Sequence, residues 1–182
     1  DIEYNFPFGW NEIEGIHNRG DWDLSRHSKF SGEDFRETDE KTGKKFYPYI
    51  IETSAGADRS MLVVLLDAFD DSDKKRLVLK LHPRLAPYTA AVFPLLANKP
   101  ELAKLARKIY DDLRKDFMVA WDDRGNIGKR YYAQDEIGTP FCITVDFESL
   151  EKKDVTVRDR DTTKQERLSI SKLADYISER LK

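Results

Sequence analysis

Eight consecutive positions, Glu52-Thr53-Ser54-Ala55-Gly56-Ala57-Asp58-Arg59, hold a carboxylate, two hydroxyls, a glycine and an Asp-Arg pair. They follow the strand-like run Tyr47–Ile51 and precede the apolar, helix-like run Met61–Phe69. Glu52 and Ser54 lie two apart, so in extended backbone they face one side. A carboxylate beside a hydroxyl suits a small ammonium ligand. Gly56 lets a ligand approach the backbone closely, and its conformation is expected to be required by the turn. Arg59 falls in the first turn of the following helix, where anions are favoured and a guanidinium can stack on a flat base or pair with phosphate. Asp58 either steadies Arg59 or caps the helix. The chemistry suggested is nucleotide binding; the same residues would also serve as an ordinary strand-to-helix turn with a solvated arginine.

A second pair of acids, Glu12 and Glu14, alternates with Ile13 and Ile16. In a strand both carboxylates share one face, a plausible cation site or simply a solvated one. His17, His27 and His82 have neither metal-ligand spacing nor a neighbouring nucleophile and carboxylate pattern, which argues against a zinc site or a hydrolase triad. Cys142 is the single cysteine and sits in the apolar run Phe141–Val145, so it reads as a core thiol with no disulfide partner.

The elements that must position these residues are legible in outline. Strands are predicted at Tyr4–Phe8, Glu12–Ile16 and Tyr47–Glu52, with a charged loop or hairpin tip over residues 33–46. Helix 60–69 is apolar at nearly every position and is predicted to be buried around most of its circumference. A charged break at Asp70–Arg76 and the prolines Pro83 and Pro87 suggest a boundary, giving domains 1–83 and 84–182. Beyond it, Thr89–Leu96 is a short apolar run. Leu102, Leu105, Ala106, Ile109 and Leu113 mark a helix opened by Pro100. A strand at Phe117–Trp121 precedes a helix capped by Asn126 and ended by Gly138. Strands at Phe141–Phe147, Asp154–Arg158 and Gln165–Ile170 lead to a last helix capped by Ser171. This order predicts an α/β fold with a parallel-centred sheet covered by helices.

The 182 residues are 40% hydrophobic and 36% charged, the balance of a globular chain. No apolar run reaches the ~18 residues of a membrane span, and the first residues lack the basic-then-apolar order of a signal peptide. A net charge of −3 gives no support for a broad basic surface for nucleic acid, so any RNA contact is expected to be local and aimed at bases.

The segment around Gly56–Arg59 resembles motif 3 of the class II aminoacyl-tRNA synthetases, in the form found in the dimeric glycyl-tRNA synthetases. Pro7-Phe8-Gly9-Trp10-Asn11-Glu12-Ile13-Glu14-Gly15-Ile16, with Asn18-Arg19 and Asp23-Leu24, looks like that family's stretch before motif 3. Lys80–Pro87 resembles its linker, and Gln134–Cys142 and Val157–Thr162 resemble signatures of its anticodon-binding domain. The resemblance implies the end of a class II antiparallel-sheet catalytic domain followed by a mixed or parallel-sheet α/β anticodon-binding domain.

It also implies roles. ATP would lie against Glu12, Ile13, Gly56, Ala57, Asp58 and Arg59, with Arg59 stacked on adenine and Glu12 holding a phosphate-bridging Mg2+. Glycine would lie against Glu52, Thr53, Ser54, Ala55 and Gly56, with Arg19 reaching or bracing the pocket. Thr53 departs from the proline common there. Gln134, Glu136, Arg158 and Arg160 would read anticodon bases of tRNA(Gly) through bidentate contacts. The implied activity is ATP-dependent glycine activation and transfer to tRNA, by a cytoplasmic homodimer of the full-length enzyme with no membrane partner. Motif 1, motif 2 and the motif 2 arginine are missing from this sequence, so it reads as the C-terminal piece of a larger enzyme. A non-catalytic tRNA-binding module and a synthetase-like accessory protein remain the alternatives.

Overall fold

A computed structural model describes all of residues 1–182, and they divide into two compact units, Asp1–Val64 and Leu65–Lys182. The first holds β1 (Ile2–Phe6), β2 (Gly9–Gly20), α1 (Trp22–Ser31), a short hairpin of β3 (Glu37–Thr38) and β4 (Lys45–Phe46), and β5 (Ile50–Ala55). Strands β1, β2 and β5 form an antiparallel sheet with β2 central. Helix α1 lies where no helix is predicted; its polar residues, with no buried side chain, carry no apolar stripe to announce it. Helix α2 (Ala57–Ala68) begins where expected, and the division between the units falls inside it.

Helix α2 corrects the sequence expectation of near-complete burial. Only Ala68 is buried, while Met61 is 61% exposed and Leu62, Val64 and Leu65 are each 37% exposed. An apolar sequence shows that a helix needs cover, not that this stretch of chain supplies it.

The second unit opens with a hairpin of β6 (Phe69–Asp73) and β7 (Arg76–Leu79), where the charges suggest only a break. Strands β8 (Ala90–Pro94), β9 (Val119–Trp121), β10 (Phe141–Val145), β11 (Asp154–Asp159) and β12 (Gln165–Ser169) form a sheet in the order β12-β11-β10-β8-β9. β8 runs parallel to both β9 and β10; β11 and β12 are antiparallel additions. The α/β expectation with a mixed sheet is borne out.

β8 is buried at all five positions because helices cover both faces. Ala90 and Val92 meet α3 (Pro100–Leu113), which supplies Leu102, Ala106, Ile109 and Leu113, and α6 (Leu173–Arg180), which supplies Leu173 and Ile177. Ala91 and Phe93 point the other way, with Cys142, toward Ile127 and Tyr131 of α4 (Ile127–Ile137). Asn126 caps α4 through the Lys129 amide, and Gly138 ends it in the left-handed region, both as the sequence signals. Short helix α5 (Phe147–Lys152) is unannounced: Asp146 and Ser149 form a capping box, ending β10 before Phe147. A single 3₁₀ turn over Ile170–Lys172 precedes α6.

The second unit reaches back past the expected 83/84 boundary because the β6–β7 hairpin packs on α4. Gly138 shows how close this is: a Cβ there would meet the Leu79 carbonyl oxygen at 2.9 Å. With φ +87° besides, Gly138→Ala is expected to destabilise the chain by more than about 1 kcal/mol, read as a lower midpoint in urea. An unchanged midpoint would mean the hairpin is not seated there.

Candidate functional site

The motif-bearing residues of the first unit lie along two neighbouring strands and the helix that follows. β2 and β5 pair with His17 opposite Glu52, Ile16 opposite Thr53 and Gly15 opposite Ser54. This register places Arg19 near Glu52: its guanidinium lies 2.8 Å from the Glu52 carboxylate and is bidentate on Asp23 at 2.6 and 2.9 Å. The hydrogen bond from Arg19 lowers the pKa of Asp23, so the group stays ionised. Arg19, Asp23, Leu24, His27 and Ile50–Thr53 line an open depression of about 570 Å³. It holds one cation against two carboxylates, a net-acidic pocket suited to an ammonium group. Ser54 shares the Glu52 side of β5; Thr53 and Ala55 alternate to the other.

Arg59 leaves the first turn of α2 and donates to the main-chain carbonyl of Glu12. That bond steadies one edge of the guanidinium while the side chain stays exposed. Asp58 is exposed and forms no ion pair with Arg59, and Ala57 is exposed beside it. Gly56 corrects an expectation. Its φ lies outside the left-handed region, and a Cβ would meet nothing nearer than Arg59 at 3.8 Å. Glycine there is not demanded by backbone strain; it leaves open space in front of the turn.

Glu12 is exposed on β2, directly opposite Glu3 of β1, with Ile13 half-buried beside it. Like charges opposed across a ladder repel and favour a cation nearby. No group of three or more acidic, histidine or cysteine side chains is gathered to cage a metal. A hard cation arriving on phosphates, needing one or two protein carboxylates, fits these residues better than a protein-only cage.

In the second unit the expected base readers are mostly interior. Asp135, at 0% exposure, receives Arg158 at 2.9 and 3.0 Å and Arg76 at 2.7 Å. Arg76 also donates to the Arg160 carbonyl. Arg160, 2% exposed, donates to the carbonyls of Gly138 and Leu81 at 2.7 and 2.8 Å and pairs with Asp161. Gln134 accepts from the Thr139 hydroxyl at 2.6 Å. The sequence reading of Gln134, Arg158 and Arg160 as exposed readers is therefore corrected: their polar groups are engaged inside. Of the four, Glu136 alone is exposed.

Sequence reasoning missed Arg130. It is 2% exposed on α4 and donates to the carbonyls of Pro94, Asp123, Arg124 and Gly125. It thereby ties the loop after β8 to the loop after β9. Leu95–Asn98, Asp123, Gly125–Ile127 and Arg130 line a crevice of about 520 Å³ there, at the carboxyl ends of parallel strands. The chain leaves β8 toward β9 on one side and returns to β10 on the other, the place where open α/β sheets offer a ligand site. No spacing marks Arg130 in advance; only its four carbonyl partners reveal it.

Residues 89–180 match the family model described as anticodon binding domain. The chain is 52% identical to the glycine–tRNA ligase of Borreliella burgdorferi strain B31, over 97% of this chain and 41% of that protein. It is 53% identical to that of Geobacillus kaustophilus and 52% to that of Staphylococcus saprophyticus, over 100% of this chain and 40% of each protein. The chain thus spans about two fifths of the length of the curated relatives it matches. No helix is long and apolar enough to cross a membrane.

Breaking the interior network should cost stability. Asp135→Ala leaves Arg158 buried without its carboxylate and is expected to destabilise the second unit by about 3–5 kcal/mol, whereas Glu136→Ala should fall within about 0.5 kcal/mol. Denaturant midpoints of the two variants provide the comparison, and equal midpoints would refute the ranking.

Proposed function

We propose, from the premise that this chain belongs to the anticodon-binding domain family, that it is part of a glycine–tRNA ligase whose first unit holds glycine and ATP and whose second unit reads the anticodon. The observation that carries this reading is identity of about half to glycine–tRNA ligases across essentially the whole chain, including Glu12 to Arg59 and not the matched domain alone. The whole ligase joins glycine to ATP, forming glycyl-adenylate and pyrophosphate, and passes the glycyl group to tRNA(Gly). It acts as a cytoplasmic homodimer. The remaining three fifths of the ligase supply the rest of the phosphate cradle and cover for the exposed apolar side chains of α2.

In this reading Glu52 receives the glycine ammonium, with Arg19 and Asp23 fixing the carboxylate that does so. Ser54 adds a hydroxyl on the same side, and the uncrowded turn from Thr53 and Ala55 to Gly56 and Ala57 brings backbone close enough to exclude larger side chains. Arg59 lays its plane on adenine while the Glu12 carbonyl holds its edge; charge and flatness are both used. Glu12, beside Ile13 and with Asp58 near the helix start, would hold a phosphate-bound Mg2+, which would supply neutralisation of phosphate charge. No covalent enzyme intermediate is needed: orientation and charge stabilisation carry the rate.

For the anticodon, the crevice beneath Arg130 suits the task better than the buried arginines. Asn98, Asp123 and Asn126 offer polar groups at its rim, and Glu136 lies at the far end of α4 from it. Gln134, Arg158 and Arg160 then act by keeping the sheet and α4 in place.

Two measurements test the reading. In a full-length ligase, Arg59→Lys keeps the charge and loses the stacking plane. It should raise KM for ATP about 2- to 30-fold, stacking being worth ~0.5–2 kcal/mol, while Lys152→Ala, on a surface pair with Glu148, should not. Equal effects would remove Arg59 from the site. Separately, binding of this chain to glycine anticodon stem-loop RNA should weaken by ~1–3 kcal/mol when the second or third anticodon base is changed. Binding indifferent to anticodon identity would favour a non-specific RNA-binding module.

A further inference from the structure

We propose that Arg107, set over the ring of Trp121, grips a backbone phosphate of the bound RNA, on a face made by α3 and the edge strand β9. The proposal rests on the tRNA-binding reading and adds a contact that carries no sequence information.

The geometry singles out this arginine. Its guanidinium carbon sits 3.9 Å from the Trp121 ring centroid and 5.2 Å from that of Tyr110, and the two rings meet edge to face at 5.8 Å. Arg107 is exposed and forms no ion pair or side-chain hydrogen bond, although more than a third of the chain is charged. The nearby Arg114 differs: it pairs with Asp111 at 3.4 Å. Contact with the ring restrains the guanidinium carbon while its N–H groups take no protein acceptor, which suits binding of phosphate. Trp121 is itself anchored, packed in part against the core under α3. Lys104, one turn earlier and also exposed, adds a second cation to the face. β9 is the outermost strand of its sheet, so nothing in the second unit pairs with its free side.

Trp121 ends β9, and the next residues, Asp122 to Asn126, form the loop that borders the Arg130 crevice. The Arg107–Trp121 platform and the crevice are thus joined by one short loop. Phosphate contacts set register and base contacts set identity, so the two sites would divide the work of binding. With a net charge of −3, a single preorganised arginine is a more economical device than a basic stripe.

The test uses the whole 182-residue chain and glycine anticodon stem-loop RNA, titrated between about 50 and 200 mM salt. Arg107→Gln should weaken binding by the same factor for cognate and anticodon-altered RNA. It should also make the slope of log K against log salt shallower by about 1. Trp121→Phe, which keeps a ring in the core but shrinks the platform, should give a smaller loss in the same direction. Both variants should melt within a few degrees of the parent, which separates loss of grip from loss of fold. An unchanged salt slope in Arg107→Gln overturns the proposal while leaving anticodon reading intact. A parent chain that binds neither RNA overturns both.

Discussion

One carboxylate organises the second unit. Asp135 is fully buried at the end of α4, and Arg158 from β11 and Arg76 from β7 both close on it. Each arginine alone would be a costly buried charge; sharing one fully engaged carboxylate, with Arg160 satisfying carbonyls alongside, makes the cluster tolerable. Its consequence is geometric. A helix, a sheet strand and a hairpin distant in sequence are locked at one point, and the turn at Gly138 is pressed against Leu79. Arg130 performs a similar service at the other end of α4, using carbonyl acceptors only. Helix α4 is pinned at both ends by buried guanidinium groups, which leaves the loops around it as the surface free to meet a ligand.

Much of this architecture was legible because local and global signals agree. Helix α3 carries its apolar residues at helical spacing and Pro100 at its start; α4 carries Asn126 and Gly138 where caps belong. What was illegible depends on partners far along the chain. Strand β6 and the turn after it are rich in aspartate and lysine, which have low strand propensity, and the place of the hairpin is set by Arg76 reaching a residue 59 positions away. Arg158 and Arg160 look like solvent-facing readers for the same reason: a sequence shows a charge but not the buried carboxylate or carbonyl that accepts it. Helix α1 has only Trp22, Leu24 and Phe30 among its polar residues and buries none of them, so it gives little periodic signal.

The candidate site in the first unit was legible only in part. The regular β2–β5 register keeps Glu52 and Ser54 on one side, whereas the β1–β2 register shifts between Ile2 and Glu3, so Glu12 lies opposite Glu3 and Glu14 opposite Ile2, and the shared face expected for Glu12 and Glu14 is broken. The Arg19–Glu52 contact could not be foreseen, since it needs the antiparallel register that sets Asn18 opposite Ile51. Gly56 carries the opposite lesson. Its residue type suggested strain, yet its backbone is ordinary and a Cβ would make no more than van der Waals contact with Arg59.

The burial of Cys142 has a practical side. It is the only thiol, it is 1% exposed, and removal from solvent pushes its pKa up to about 12. At neutral pH it stays protonated between two covered faces, slow toward alkylating reagents as long as the sheet is closed. A cysteine placed at an exposed position such as Asn98 or Glu136 would therefore take a fluorophore or spin label alone, with the native residue left in place. The same thiol becomes a reporter once the sheet opens: its rate of modification then counts how often β10 is uncovered.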